Sequence, residues 1–109
     1  MTRDREVVLD AIVACNLISD FCKDLNFNRF ASDPKTQSSV LYQIVILGEA
    51  TNRLSPTFAQ MNPEIPIDAI RGMRNRVVRE YKEVELKILW EVVRTNIPEL
   101  LQLLQNSTF

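Results

Sequence analysis

The spacing of apolar residues is the feature that most constrains the fold of this chain. Between Asp4 and Leu25 apolar side chains recur every three or four positions, which places them on one stripe of an α-helix. The same spacing returns in the middle of the chain and towards its end, and no segment shows the period-two alternation of a half-buried strand. The sequence therefore predicts an all-α protein.

Capping residues and prolines divide this pattern into separate helices. Asp33 before Pro34, and Ser55 before Pro56, each place an N-cap residue ahead of a proline at the first helical position. The first pair predicts a long helix to about Leu54, and the second predicts a short helix. The segment NFNRFAS, just before the first pair, breaks the helical pattern and is expected to be a connection.

The second half of the chain predicts two further helices and a short one. One begins near Pro66 and runs to about Tyr81, the next follows it, and Asn96 with Pro98 is expected to open a last short helix. The prediction is a bundle of four main helices plus one or two short ones. Residues 1–109 are expected to form a single domain, because domains of roughly 100–150 residues are the commonest.

Gly48 lies within the second long helix, in the almost entirely apolar stretch VLYQIVILGEATNRL. A glycine inside a helix costs about 1 kcal/mol relative to alanine. We therefore expect Gly48 to allow the close approach of another backbone.

The composition excludes several classes of protein. Hydrophobic residues make up 46% of the chain and charged residues 25%, as in ordinary soluble proteins, and two glycines exclude a collagen-like chain. No apolar run approaches the roughly 20 residues that span a bilayer, and the stretch MTRDREVV is charged where a signal peptide is apolar. These features predict a cytoplasmic protein with no membrane partner.

Cys15 and Cys22 are predicted to be free thiols in the core. On a helix, residues seven positions apart share a face but lie about 10 Å apart, which is too far for a disulfide. The alternative, a metal or redox site, lacks a histidine or a further cysteine to complete it.

A basic segment interrupts this mildly acidic chain. The stretch RGMRNRVVREY, Arg71 to Tyr81, holds four arginines, whereas the whole chain has a net charge of −1 and no histidine. One interpretation is a solvated helix face, with Ile70, Met73, Val77 and Val78 turned to the core. The other is an anion site, because the planar guanidinium fork matches the geometry of phosphate.

The order of several landmarks resembles the HepT proteins of the HEPN superfamily. The stretches LGEATNRLS, PEIPIDAI, GMRNRVVREY and LKILWEVVRTNIPEL follow one another in a resemblance that extends from Val8 to Leu100. This resemblance implies a HEPN-type antiparallel helical bundle that acts as a homodimer. It also implies a toxin encoded beside an MNT-type nucleotidyltransferase antitoxin.

The signature of that family is an arginine followed by a polar residue, then a histidine, then a tyrosine two positions later. Arg74 matches the arginine, Asn75 the polar residue and Tyr81 the tyrosine, whereas Arg79 occupies the histidine position. The resemblance thus implies catalytic roles for Arg74, Asn75 and position 79. Arg74 and Arg79 are expected to bind RNA together with Arg71 and Arg76.

The implied activity is cleavage of RNA, either tRNA or mRNA, without a metal or another cofactor. The histidine would transfer a proton, which requires a group whose pKa lies near working pH, and arginine cannot accept a proton. We therefore expect Arg79, whether engineered or natural, to weaken or abolish cleavage while RNA binding persists. Residues five apart on a helix point about 140° away from each other, so Arg74 and Arg79 meet only near a helix end or across a twofold axis.

Tyr81 carries a second implication of the resemblance. In such pairs the antitoxin transfers AMP from ATP onto this tyrosine, which would place a negative phosphate beside the arginines. The alternative is a tyrosine that covers the helix end and whose hydroxyl reaches water.

Other functions and roles stay open at this stage. The chain could be a non-catalytic helical interaction module, or a substrate-binding module that acts with a nucleotidyltransferase. Glu49 could pair with a motif arginine or lie solvated, and Arg53 could add to the basic site or be solvated. Trp90 is expected to pack in the core or at the dimer contact rather than to stack on a base.

Overall fold

The computed structural model describes residues 2–109, with side chains from Arg3 onwards. Its helices are α1 (Thr2–Cys22), α2 (Phe27–Ala31), α3 (Pro34–Asn52), α4 (Pro56–Met61), α5 (Ile67–Glu80), α6 (Leu86–Glu91) and α7 (Ile97–Gln105). A 3₁₀ turn, Tyr81–Glu83, follows α5, and a π-helical segment, Val92–Asn96, joins α6 to α7. None of the described residues forms a β-strand, and the prediction of an all-α fold is confirmed.

Side-chain caps begin α3 and α4 where the sequence predicted them. Oδ1 of Asp33 accepts a hydrogen bond from the backbone N–H of Thr36 at 3.2 Å. Oγ of Ser55 accepts one from the backbone N–H of Phe58 at 3.1 Å. A proline follows each cap at the start of the helix, where its missing N–H is not needed.

The segment NFNRFAS, expected to be a connection, contains helix α2. Oδ1 of Asn26 caps this helix by accepting from the backbone N–H of Arg29 at 2.9 Å. Phe30 is fully buried and fixes the helix to the rest of the molecule. A helix of five residues is too short to be stable alone or to show a periodic pattern, so tertiary packing decides its formation.

The last short helix predicted from Asn96 and Pro98 is present as α7, with Pro98 in its first turn, but it is not separated from α6. Asn96 makes no side-chain cap, and α6 continues through the π-helical segment into α7. Pro98 has no N–H to donate to the carbonyl of Arg94, and the N–H of Ile97 donates to the carbonyl of Val92, five residues earlier. The wider turn therefore accommodates the proline inside one continuous helical rod.

The main helices pack in the order α5, α3, α1 and the α6–α7 rod. Arg53, just after α3, pairs with Asp10 in the first half of α1 at 3.5 Å, so these two helices are antiparallel. The core between the helices is formed by side chains that are almost fully buried; the largest are Phe30, Phe58, Ile18, Ile44, Leu89 and Leu104. Four main helices in a bundle therefore match the predicted architecture.

Two polar contacts hold the segments near the two chain ends against the rest of the bundle. The carboxylate of Asp4, which is buried, accepts from the hydroxyl of Ser55 at 2.6 Å and from its backbone N–H at 2.9 Å. The buried amide of Asn62 donates to the carbonyl of Thr108 and accepts from its N–H, both at 2.8 Å. Each contact joins residues far apart in the sequence.

Candidate functional site

Helix α5 carries the basic segment and packs against α3. Ile70 and Val77 are buried on its inner side, and Met73 is half-buried. Val78 is 51% exposed, so the part of the solvated-face interpretation that turned it to the core is wrong. It lies one position beyond Val77, which on a helix is a rotation of about 100° away from the core.

Arg74 differs from the other arginines of α5 because it lies against α3. Only 30% of its side chain is accessible, and its Nη2 donates to Oε2 of Glu49 at 3.3 Å. Its Nη1 donates to Oδ1 of Asn75 at 3.0 Å. Its Nε is buried and has no hydrogen-bond partner among the described residues. These contacts hold the guanidinium in one orientation at the middle of the basic helix.

Gly48 is the residue of α3 that lets Arg74 lie so close. A Cβ added to Gly48 would overlap Cβ and Cγ of the Arg74 side chain. The expectation of a close approach is therefore confirmed, but the neighbour is the stem of a side chain rather than a backbone.

One helical turn before Arg74, a second contact ties α5 to α3. Nε of Arg71 donates to Oδ1 of Asn52 at 2.7 Å, and its Nη1 donates to Oδ1 of Asp68 at 3.2 Å. Glu49 and Asn52 are three positions apart on α3, as Arg71 and Arg74 are on α5. The two contacts therefore lie one helical turn apart along the seam between these antiparallel helices.

Arg76 and Arg79 are exposed towards the end of α5. Nε of Arg76 lies 3.8 Å from Oε1 of Glu80, whereas no carboxylate within residues 3–109 lies at ion-pair distance from Arg79. Because α5 continues through Glu80, the step of five residues from Arg74 to Arg79 turns their side chains about 140° apart. Within one chain, position 79 thus does not share the α3-facing side on which Arg74 lies.

Tyr81 stands at the end of α5, where the 3₁₀ turn begins, and is 57% exposed. Nζ of Lys82 lies 6.0 Å from the centre of its ring. An exposed hydroxyl at a helix end is accessible to another protein.

No group of three histidine, cysteine, aspartate or glutamate side chains in the part of the chain that the structure describes is arranged to hold a metal ion. Cys15 and Cys22 are buried, free thiols, as predicted. Burial raises the pKa of Cys15 to about 12 and also raises the pKa of Cys22, so both stay protonated near neutral pH.

Arg53 and Trp90 have partners other than Arg74. The guanidinium of Arg53 pairs with Asp10 on α1. Trp90 packs on Phe30, with ring centroids 5.0 Å apart, and Arg94 covers its ring at 5.4 Å. This placement matches the prediction of a core residue for Trp90.

The family model described as "Ribonuclease HepT-like" matches residues 11–107. The chain belongs to this HepT-like family. This membership confirms the resemblance to HepT proteins of the HEPN superfamily, and the antiparallel helical bundle fits it.

Several curated relatives of this HepT-like chain carry ribonuclease names. It is 32% identical to a protein of Thermococcus cleftensis named "Probable ribonuclease HepT", over 88% of this chain and 87% of that protein. It is 28% identical to a Methanocaldococcus jannaschii protein, over 86% of this chain and 78% of the relative. It is 31% identical to a Caldanaerobacter subterraneus protein, over 79% and 77%. The last two are named provisionally as RNases. No solved structure matches the chain.

Sequence reasoning left Glu49 undecided and missed Asn52. Both lie on α3 and bind arginines of α5 in the HepT-like fold. Each pair joins two different helices, and no local pattern in the sequence indicates it. The catalytic and RNA-binding roles of Arg71, Arg74, Asn75, Arg76 and Arg79 stay predictions, as does the modification of Tyr81.

No helix among residues 2–109 is long and apolar enough to cross a membrane.

Proposed function

We propose that this HepT-like chain is the RNA-cleaving toxin of a toxin–antitoxin module, weakened by the arginine at position 79. The observation that carries the proposal is the fixed guanidinium of Arg74, held by Glu49 and Asn75, in a chain whose relatives are named as ribonucleases. A guanidinium held in this way is suited to bind one phosphodiester of an RNA strand. The exposed Arg71, Arg76 and Arg79 on the same helix would attract the strand.

Cleavage also requires proton transfer. A proton must leave the attacking 2′-hydroxyl, and a proton must reach the leaving 5′-oxygen. The guanidinium of Arg79 offers only hydrogen-bond donors and cannot accept the first proton. We therefore propose that the chain binds RNA and cleaves it slowly or not at all.

A homodimer would complete the site. Arg74 and position 79 of one chain face different directions, so a second copy placed across a twofold axis would bring its position 79 towards the first chain's Arg74. No metal or other cofactor is part of this proposal.

Replacing Arg79 by histidine tests the catalytic proposal directly. We expect Arg79→His to cleave labelled tRNA or mRNA substantially faster than the unsubstituted chain, since general acid–base transfer contributes about 10²–10⁴-fold. The double variant Arg79→His with Arg74→Ala is the control and should lose this gain. If Arg79→His leaves RNA intact, or if the double variant cleaves as fast, the proposed role of the two positions is wrong.

We further propose that a cognate MNT-type nucleotidyltransferase neutralises the toxin by transferring AMP from ATP to Tyr81. The exposure of Tyr81 and its place at the end of the basic helix support the proposal. The added phosphate would offset the positive charge that attracts RNA. Incubation with the nucleotidyltransferase and ATP should increase the intact mass by one or more AMP units.

Tyr42 provides a matched control for this modification, because it is 62% exposed on α3. Tyr42→Phe should accept AMP as the natural chain does, whereas Tyr81→Phe should not. Modification that survives in Tyr81→Phe would assign the AMP to another residue.

One observation favours a second candidate function. The chain has no histidine, so position 79 has no substitute of that type for proton transfer. A module that binds RNA without cleaving it, or presents a substrate to a separate nucleotidyltransferase, would need only the arginines. Growth arrest on expression of Arg79→His would favour the toxin, and unaffected growth would favour the binding module.

A further inference from the structure

A depression of about 580 Å³ lies beside the contacts that Arg71 makes, between the end of α3, helix α4 and the start of α5. Its walls include Leu54, Ala59, Ile65 and Ile67, and Arg71 lies at its edge. This volume is within the range of pockets that hold small organic groups, roughly 300–1,000 Å³. The surface is thus a mixed apolar and polar depression, with Arg71 and Asp68 as its charged residues.

The side-chain contacts between α3 and α5 lead from this depression to Arg74. Arg74 bonds to Glu49, and one turn closer to the depression Arg71 bonds to Asn52. Three residues advance a helix by about 4.5 Å, so the two guanidinium groups are close neighbours along the seam. A strand whose phosphate lies at Arg74 would therefore need to extend only a short distance to reach the depression.

The groups at the edge of the depression suit a nucleobase. Asn52 and Asp68 hold the guanidinium of Arg71, which leaves 45% of its side chain accessible for a base to stack on its planar face. The backbone N–H groups of Asp68 and Ala69, in the first turn of α5, receive no side-chain cap. Both residues line the depression, and an uncapped N–H group of this turn would provide a donor for the edge of a base.

We infer that this depression is a base pocket, which holds a nucleobase of the single-stranded RNA whose phosphate Arg74 binds. The inference rests on the proposed function and extends it, because it assigns a second contact to the same strand. The phosphate contact would be independent of sequence, whereas the pocket would select unpaired nucleotides, whose bases are free to leave the stack. Arg71 would lie between the phosphate bound at Arg74 and the base held in the depression.

The test compares two strands of equal length, one with bases and one fully abasic. Both are single-stranded, fluorescently labelled and 2′-O-methylated, so that they cannot be cleaved, and binding is measured by fluorescence anisotropy at low salt. The natural chain should bind the strand with bases about tenfold more tightly, since base stacking on a protein is worth about one order of magnitude or more. Ala59→Leu fills the pocket and should remove most of this preference.

Ala31→Leu is the matched control, because it makes the same substitution at a half-buried alanine of another short helix, α2. It should keep the preference for bases, and thermal unfolding should show that both variants are folded. If Ala59→Leu does not fold, Ala69→Leu, at an exposed residue on the α5 wall, replaces it in the same comparison.

The outcomes separate the inference from the proposed function. If the natural chain binds both strands equally, or if the preference for bases survives the pocket-filling substitution, the base pocket is wrong while RNA binding stands. If neither strand binds at low salt, RNA binding itself fails, and the base pocket fails with it.

Discussion

Gly48 on α3 leaves the space that the side chain of Arg74 on α5 occupies. A methyl group at position 48 would overlap the first two carbons of that side chain, whereas a methyl group at Gly72 would meet no atom within 4 Å. The two glycines are both helical, but only the first is required by packing.

Gly48→Ala is therefore expected to destabilise the fold and displace Arg74. Overpacking of this kind costs about 1–3 kcal/mol, more than the helix propensity that alanine gains. Gly72→Ala should instead stabilise the protein, by about 0.5–1 kcal/mol, because alanine is the better helix former. Chemical unfolding of both variants measures the difference. Equal effects at the two positions would show that Arg74 does not lie against α3.

Arg74 is expected to contribute one phosphate contact to RNA binding. Arg74→Ala should therefore lower the slope of log affinity against log salt by about one. Arg74→Lys should keep this slope, because it keeps the charge, but should bind more weakly because an ammonium cannot form the fork to Glu49 and Asn75. Binding of a non-cleavable single-stranded RNA across a salt series measures both.

Arg29, exposed on α2, is the control for this prediction. Arg29→Ala should leave the slope unchanged. If it lowers the slope as much as Arg74→Ala, the protein attracts RNA through cations spread over its surface rather than through the α5 site.

The contact between Asp4 and Ser55 should make stability depend on pH. The hydrogen bond from the Ser55 hydroxyl holds the pKa of Asp4 below its ordinary value. A carboxylate with a lowered pKa stabilises the fold above its unfolded pKa of about 4, and this contribution is lost as the pH falls through the folded pKa. The unfolding free energies of the natural chain and Asp4→Asn should differ most at neutral pH and converge in acid.

Urea unfolding at neutral pH and below about pH 3 tests this expectation. Asp20→Asn changes an exposed carboxylate of the same helix and is the control, with little effect expected at either pH. A difference for Asp4→Asn that is the same at both pH values would contradict the role of the ionised carboxylate.

Asn62 should hold the C-terminal segment against α4. Asn62→Ala removes both hydrogen bonds to Thr108 and leaves buried groups unpaired, which costs about 1–3 kcal/mol. The amide of Thr108 should then exchange faster with solvent in hydrogen-exchange measurements. Asn16→Ala, at an exposed position of α1, should change neither quantity. Unchanged protection of Thr108 in Asn62→Ala would show that other contacts hold the segment.

Local sequence signals predicted most of the helices. The caps at Asp33 and Ser55, and the apolar spacing of α1, act within a few residues, so their effect is visible without the fold. The same reasoning missed α2 and did not show that α6 runs into α7 without a break. In those places the burial of Phe30 and the π-helical turn before Pro98 decided the backbone, and both depend on contacts or geometry beyond a local pattern.

By itself, the sequence determined that the chain is an all-α bundle of the HepT type with a basic helix and an arginine at the histidine position. Only the tertiary structure decided which arginine is held in place and by which partners. Arg74 bonds to Glu49, 25 positions away, and Arg71 to Asn52, 19 positions away. Such pairs form because two antiparallel helices pack closely at Gly48, and no periodicity along a single helix records which residues meet across that seam.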